Sequence, residues 1–152
     1  MFPQKSISLR ASTSQRGFPL NGEMQSYMVN VVEPQLLGGA DKAPNPLEYL
    51  LLSQASCLSI VIGMVAQKRD IRLSEVVVET ESNFDLESFL DQSVGLKEIE
   101  LKVGLRADAE LDELNRVVWE ADRICQAKNT ISAKLTIQVE KLGKAVEITA
   151  QH

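Results

Sequence analysis

From Leu47 to Ala66 the chain carries a helix-length run in which apolar residues fall on every side. Leu50, Leu51, Leu52, Leu58, Ile60, Val61, Ile62, Met64 and Val65, stepped at about 100° per residue, cover the whole circumference rather than one stripe. A helix apolar all round is either enclosed by protein or sits in a membrane. About 20 residues suffice to cross a bilayer, so the membrane reading has to be weighed. Glu48, Ser53, Gln54, Ser56 and Ser59 interrupt the run, and the amphipathic segments on either side of it need a core in water. The better account places the chain's own sheet on one side of this helix and a second copy of the chain on the other. That arrangement is an obligate, intertwined homodimer with no membrane.

The flanking sequence supplies the sheet. Residues 5–10 alternate as a half-buried strand, residues 12–17 read as a polar loop, and Asn21-Gly22 is a strong turn dipeptide. A strand is expected over residues 24–32, ended by Glu33-Pro34, and residues 38–46 are too rich in Gly and Pro for regular structure. The helix itself is expected over residues 47–69, with Asn45 as its cap and Pro46 in its first turn. Residues 75–80 read as a β-branched strand, 83–95 as a loop and 96–106 as an alternating strand. A second helix is expected from Asp108, as cap, to Cys125, with Leu111, Leu114, Val117, Val118, Ala121, Ile124 and Cys125 on one packed face. A strand at residues 134–141 completes the order β-β-α-β-β-α-β, which fits an α+β domain with antiparallel pairing, and residues 144–150 read as a last short strand after the Gly143 turn.

A chain of 152 residues is expected to form a single domain, 1–152. Its net charge of -5, with basic residues dispersed among acids, argues against nucleic acid as a partner. The start, Met1-Phe2-Pro3-Gln4-Lys5, has no apolar stretch of signal-peptide length, so a cytoplasmic location is expected. There Cys57 and Cys125 are more often free, catalytic or redox-active than a static disulfide. A zinc site is disfavoured, because His152 is the one histidine and two thiolates cannot fill four positions. As an inert core residue, Cys57 would be a small hydrophobe. As a redox residue, its thiolate would attack a peroxide O–O bond and become a sulfenic acid that a second thiol converts to a disulfide. Being mid-helix, Cys57 gains nothing from the helix dipole, so an arginine from elsewhere must hold it as the anion. Arg16, in a polar loop with no apolar duty, is the best candidate, and Arg10 the alternative.

The segment Gly38-Gly39-Ala40-Asp41-Lys42-Ala43-Pro44-Asn45-Pro46-Leu47-Glu48-Tyr49-Leu50, followed by Ala55-Ser56-Cys57-Leu58, resembles the signature of the OsmC/Ohr superfamily. A second, weaker match is the cysteine ending the second helix, Ile124-Cys125-Gln126-Ala127-Lys128-Asn129-Thr130-Ile131. The resemblance implies an OsmC-like α+β fold of antiparallel sheets with two main helices, the long first helix central in an intertwined homodimer. It implies that Cys57 is the peroxidatic cysteine and Cys125 the resolving one, that Arg16 activates Cys57, and that a helix-start glutamate, here Glu48, orients the arginine. It further implies organic hydroperoxides as substrates and no bound cofactor. An external dithiol, such as that of a lipoylated protein, would be the reductant. Leu50, Val61 and Met64 would line an apolar pocket.

Two positions depart from the Ohr pattern. Leu47 stands where the glutamate usually follows the proline, and Glu48 lies nine residues before Cys57, a turn of about 900° that puts it on the opposite side of an ideal helix. Gln126 stands where the family usually has proline. Both point to an OsmC-like branch. They keep open a non-catalytic dimer that binds an apolar ligand or senses redox stress through Cys57, and a structural dimer whose cysteines are core residues. Glu98, Glu100 and Asp122 read as solvated faces.

Overall fold

The structure is a computed structural model that describes residues 11–14, 20–24, 27–32, 42–83 and 96–143. In chain order the elements are β1 (Ala11–Ser14), β2 (Leu20–Met24), β3 (Tyr27–Val31), α1 (Pro46–Lys68), β4 (Leu73–Glu81), β5 (Glu98–Ala107), α2 (Leu111–Ile124), α3 (Gln126–Thr130) and β6 (Lys134–Lys141). Two packing units divide the chain, Met1–Leu50 and Leu51–His152. The strands expected at residues 5–10 and 144–150 lie outside the described residues.

In the first unit β1, β2 and β3 form an antiparallel sheet in that order. Residues 12–14 of the expected polar loop and the expected Asn21-Gly22 turn give way to strand, while residues 15–17 lie outside the described residues. Asn21 pairs with Ser14 and Asn30, and Gly22 with Thr13 and Val29, so both lie in the middle of the ladder. Two neighbouring strands satisfy the backbone at these positions, and pairing overrides local turn preference.

The start of α1 is fixed by its own sequence. Asn45 Oδ1 accepts from the backbone N–H groups of Leu47 (2.9 Å) and Glu48 (3.1 Å), while Glu48 Oε2 accepts from the Asn45 N–H at 2.7 Å. This reciprocal capping box satisfies donors the helix cannot use internally. The Tyr49 hydroxyl donates to the Asn30 carbonyl at 2.7 Å, and Val32 N–H donates to the Pro44 carbonyl at 3.2 Å. Both bonds tie the helix start to the end of β3.

In the second unit α1 turns Gln54, Ala55, Leu58, Ile62, Val65 and Ala66 inward. The other side stays open, with Leu52, Ile60 and Met64 exposed. The helix is long and apolar enough to cross a membrane by length and composition, yet its inner stripe forms part of the core. It ends in a Schellman turn: Asp70 takes φ 56°, Ile71 N–H reaches the Ala66 carbonyl at 2.9 Å and Asp70 N–H reaches Gln67 at 3.1 Å. Aspartate tolerates that left-handed geometry better than most residues.

Strand β5 is central in the second sheet, antiparallel to β4 and parallel to β6. The parallel pair corrects the all-antiparallel expectation. The chain crosses from β5 to β6 through α2 and α3, and a helical crossover returns a strand in the same direction. Along β5, Ile99, Leu101, Val103 and Leu105 are fully buried, and they meet the inner stripe of α1 and Leu114, Val117, Val118 and Ala121 of α2 in one core. The amphipathic reading of α2 therefore holds at its centre, whereas Leu111 and Ile124 at its ends are exposed. The N-cap of α2 is Glu110 rather than Asp108, and it makes no side-chain cap bond.

Surface ion pairs align these pieces. Arg69 and Lys68, at the end of α1, both bond the Glu120 carboxylate of α2. The Arg69 bond, then the Lys68 bond, holds that carboxyl below its ordinary range. Glu98 is held low in the same way by Lys134 across the β5–β6 ladder. Asp122, expected on a solvated face, is instead buried and paired with Lys128.

Candidate active site

Both cysteines are free thiols. Cys57 lies on α1, half-buried and packed against the core. It precedes Leu58, which is fully buried, so helical geometry places its sulfur at the border of the inner stripe. Cys125 is fully buried and sits in extended conformation (φ -67°, ψ 112°) between the last residue of α2 and the first of α3. Its N–H donates to the Asp122 carbonyl, and its own carbonyl accepts from Asn129 N–H at 3.1 Å. The break between the helices thus holds the residue from both sides.

The fold brings the two sulfurs together. Burial pushes the Cys125 thiol above its ordinary range, and the Cys57 thiol beside it adds to the effect, while the backbone N–H groups of Lys128 and Ala127 act in the opposite sense. At neutral pH Cys125 is therefore a protonated thiol. A partly accessible sulfur next to a buried, neutral one is an asymmetric pair. An oxidant reaches a half-buried cysteine more readily than a fully buried one.

The remaining expected site residues stand as follows. Arg16 and Arg10 lie outside the described residues. Glu48 is exposed, and one of its carboxylate oxygens closes the capping box of α1. Of the expected pocket residues, Val61 packs against the core while Leu50 and Met64 are exposed. A depression lined by Glu79, Thr80, Glu81, Glu100 and Lys102 lies on β4–β5, among charged groups. Among the described residues no group of three or more His, Cys, Asp and Glu could hold a metal ion.

Sequence reasoning missed Gln54. One turn before Cys57, it is 1% exposed, and its Nε2 lies 4.0 Å from the Cys125 sulfur. Its spacing from Leu58 and Ile62 (i+4 and i+8) was the available signal, since it puts the amide on the inner stripe.

An α+β fold with two free thiols meeting between its two main helices defines the class. The sequence profile of OsmC-like proteins matches residues 39–140, and this chain belongs to that family. No curated protein sequence matches it. Solved structures do. An OsmC-like protein from Mycoplasma pneumoniae superposes with a TM-score of 0.77 at 17% identity, covering 91% of this chain and 99% of its own. An organic hydroperoxide resistance protein from Elizabethkingia anophelis, with thiocyanate bound, gives 0.77 at 19% identity, over 91% and 100%. A putative organic hydroperoxide resistance protein from Vibrio cholerae, with captopril in one of its active sites, gives 0.73 at 20%, over 95% and 97%. These likenesses establish an OsmC/Ohr fold.

Proposed function

We propose that this protein is a thiol-dependent peroxidase that reduces organic hydroperoxides in oxidative-stress defence. The reading rests on the half-buried Cys57 thiol lying beside the fully buried Cys125 thiol. Structural relatives described as organic hydroperoxide resistance proteins support it. The Cys57 thiolate attacks the peroxide, breaking the O–O bond; the sulfur takes one oxygen as sulfenic acid and the other leaves, protonated, as the alcohol. Cys125 then displaces that oxygen as water, forming the Cys57–Cys125 disulfide. An external dithiol, such as that of a lipoylated protein, exchanges with this disulfide and carries away the two electrons' worth of oxidation as its own disulfide. Arg16 is assigned to hold Cys57 as the anion, with Glu48 orienting it, and no bound cofactor takes part. A reducing cytoplasm suits a resting state with both thiols free. Stoichiometric cumene hydroperoxide is expected to remove two free thiols per chain and yield an intrachain Cys57–Cys125 disulfide on peptide mapping. Survival of both thiols would refute the mechanism.

The working unit in this proposal is a homodimer. Leu52, Ile60 and Met64 are 57%, 65% and 53% exposed, and with Ser53, Ser56 and Gly63, also exposed, they form one face of α1. Apolar side chains in such a row favour a partner over water. Sedimentation is expected to return twice the chain mass of 16.8 kDa, and Ile60→Asp to return a single chain. A monomeric wild type at micromolar concentration would remove the dimer.

A further inference from the structure

Glutamine is seldom fully buried, and a buried amide normally has partners for both of its ends. Gln54 is 1% exposed, and among the described residues Asp122 is the other buried polar side chain. The Gln54 Nε2 faces the Cys125 sulfur at 4.0 Å, and its buried Oε1 has no hydrogen-bond partner among the described residues. A leucine or methionine would fill the same space without leaving a carbonyl unsatisfied. The amide nitrogen of Gln54 is thus directed at the sulfur of the residue assigned above to resolve the sulfenic acid.

We infer that Gln54 is a positioning residue for disulfide closure, holding the Cys125 sulfur toward Cys57 and donating an N–H to it as it becomes the nucleophile. The inference rests on the peroxidase reading. A primary amide suits both states of that sulfur: its carbonyl can accept the S–H of the resting thiol, and its NH2 can donate to the sulfur as negative charge develops. In the closing step the Cys125 S–H bond breaks and the S–S bond forms. The S–O bond of the Cys57 sulfenic acid breaks, and the departing hydroxyl leaves with the thiol proton as water. Burial opposes ionisation of Cys125, so a donor built into the core acts where water cannot. The ionisable group facing Cys125 from α1 is Cys57. On its own segment the flanking charges are Arg123, which is exposed, and Asp122 and Lys128, which are paired with each other.

The test uses the full chain with Gln54→Met, which keeps the side-chain length and removes both hydrogen-bonding ends. Gln54→Asn, which keeps the amide, is the second variant. After a single equivalent of cumene hydroperoxide, Gln54→Met is expected to close the Cys57–Cys125 disulfide about tenfold more slowly than wild type. It should accumulate a dimedone-trapped Cys57 sulfenate that wild type does not, and Gln54→Asn should recover part of the rate. In a Cys57→Ser background, alkylation of Cys125 at neutral pH should also slow about tenfold on Gln54→Met, its pH profile moving to higher pH. Wild-type rates of both closure and alkylation in Gln54→Met would overturn the assignment. Failure of the wild type to form the disulfide would instead overturn the peroxidase reading, and the alkylation comparison would still decide whether Gln54 acts on Cys125.

Discussion

Cys57→Ser is expected to abolish dithiol-dependent peroxide consumption, lowering the steady-state rate at least about a thousandfold, to the background of the dithiol alone. The size follows from the role. A hydroxyl at this position ionises far too weakly to attack an O–O bond, and the other cysteine, Cys125, is fully buried, with burial raising its pKa, so it is a poor substitute. Cys125→Ser is the contrasting variant: it should still form one sulfenate per chain but no intrachain disulfide, and turnover should fall because the sulfenate waits for an external thiol. The assay is cumene hydroperoxide loss with dihydrolipoamide, run beside thioredoxin and dithiothreitol. Serine is close in volume to cysteine and Cys57 is only half-buried, so the fold should survive. Undiminished consumption in Cys57→Ser would place the chemistry elsewhere and end the thiol mechanism.

The parts of this protein that could be read from its sequence are those fixed by local chemistry. Asn45 and Pro46 mark the start of α1, and the alternation of Ile99, Leu101, Val103 and Leu105 marks β5, because caps and side-chain periods act within a few residues. The two cysteines were legible as a chemical type, while their meeting depends on how α1 packs against the break between α2 and α3. What was hidden depends on partners distant in the chain. Nothing local tells Ala11–Ser14 to become a strand, since its ladder partner is β2. The direction of β6 is decided by the crossover through α2 and α3. Asp122 looks like a surface charge until Lys128, six residues on, turns back to neutralise it in the break between two helices. Gln54 reads as one of several polar residues relieving an apolar helix, and only the packed core shows that its amide lies against a sulfur.

Leu101→Ala is expected to cost about 2–5 kcal/mol of folding stability. Leu101 lies on the central strand, opposite Thr80 of β4 and Ile137 of β6, and its side chain is fully buried. Removing three carbons there leaves a void that neither neighbouring strand can close, because both are fixed in register by their ladders. Interiors are packed too tightly for the core helices to fill it without strain. Set against a total of about 5–15 kcal/mol, this is a large fraction. The urea midpoint should fall with the slope of the transition unchanged. Glu100→Ala, one residue away on the exposed face, should change stability by no more than about 0.5 kcal/mol. The comparison isolates burial from strand propensity, since both substitutions put alanine into the same strand. Equal effects at the two positions would mean that β5 does not present alternate faces to core and solvent, and the packing that brings Cys57 and Cys125 together would lose its foundation.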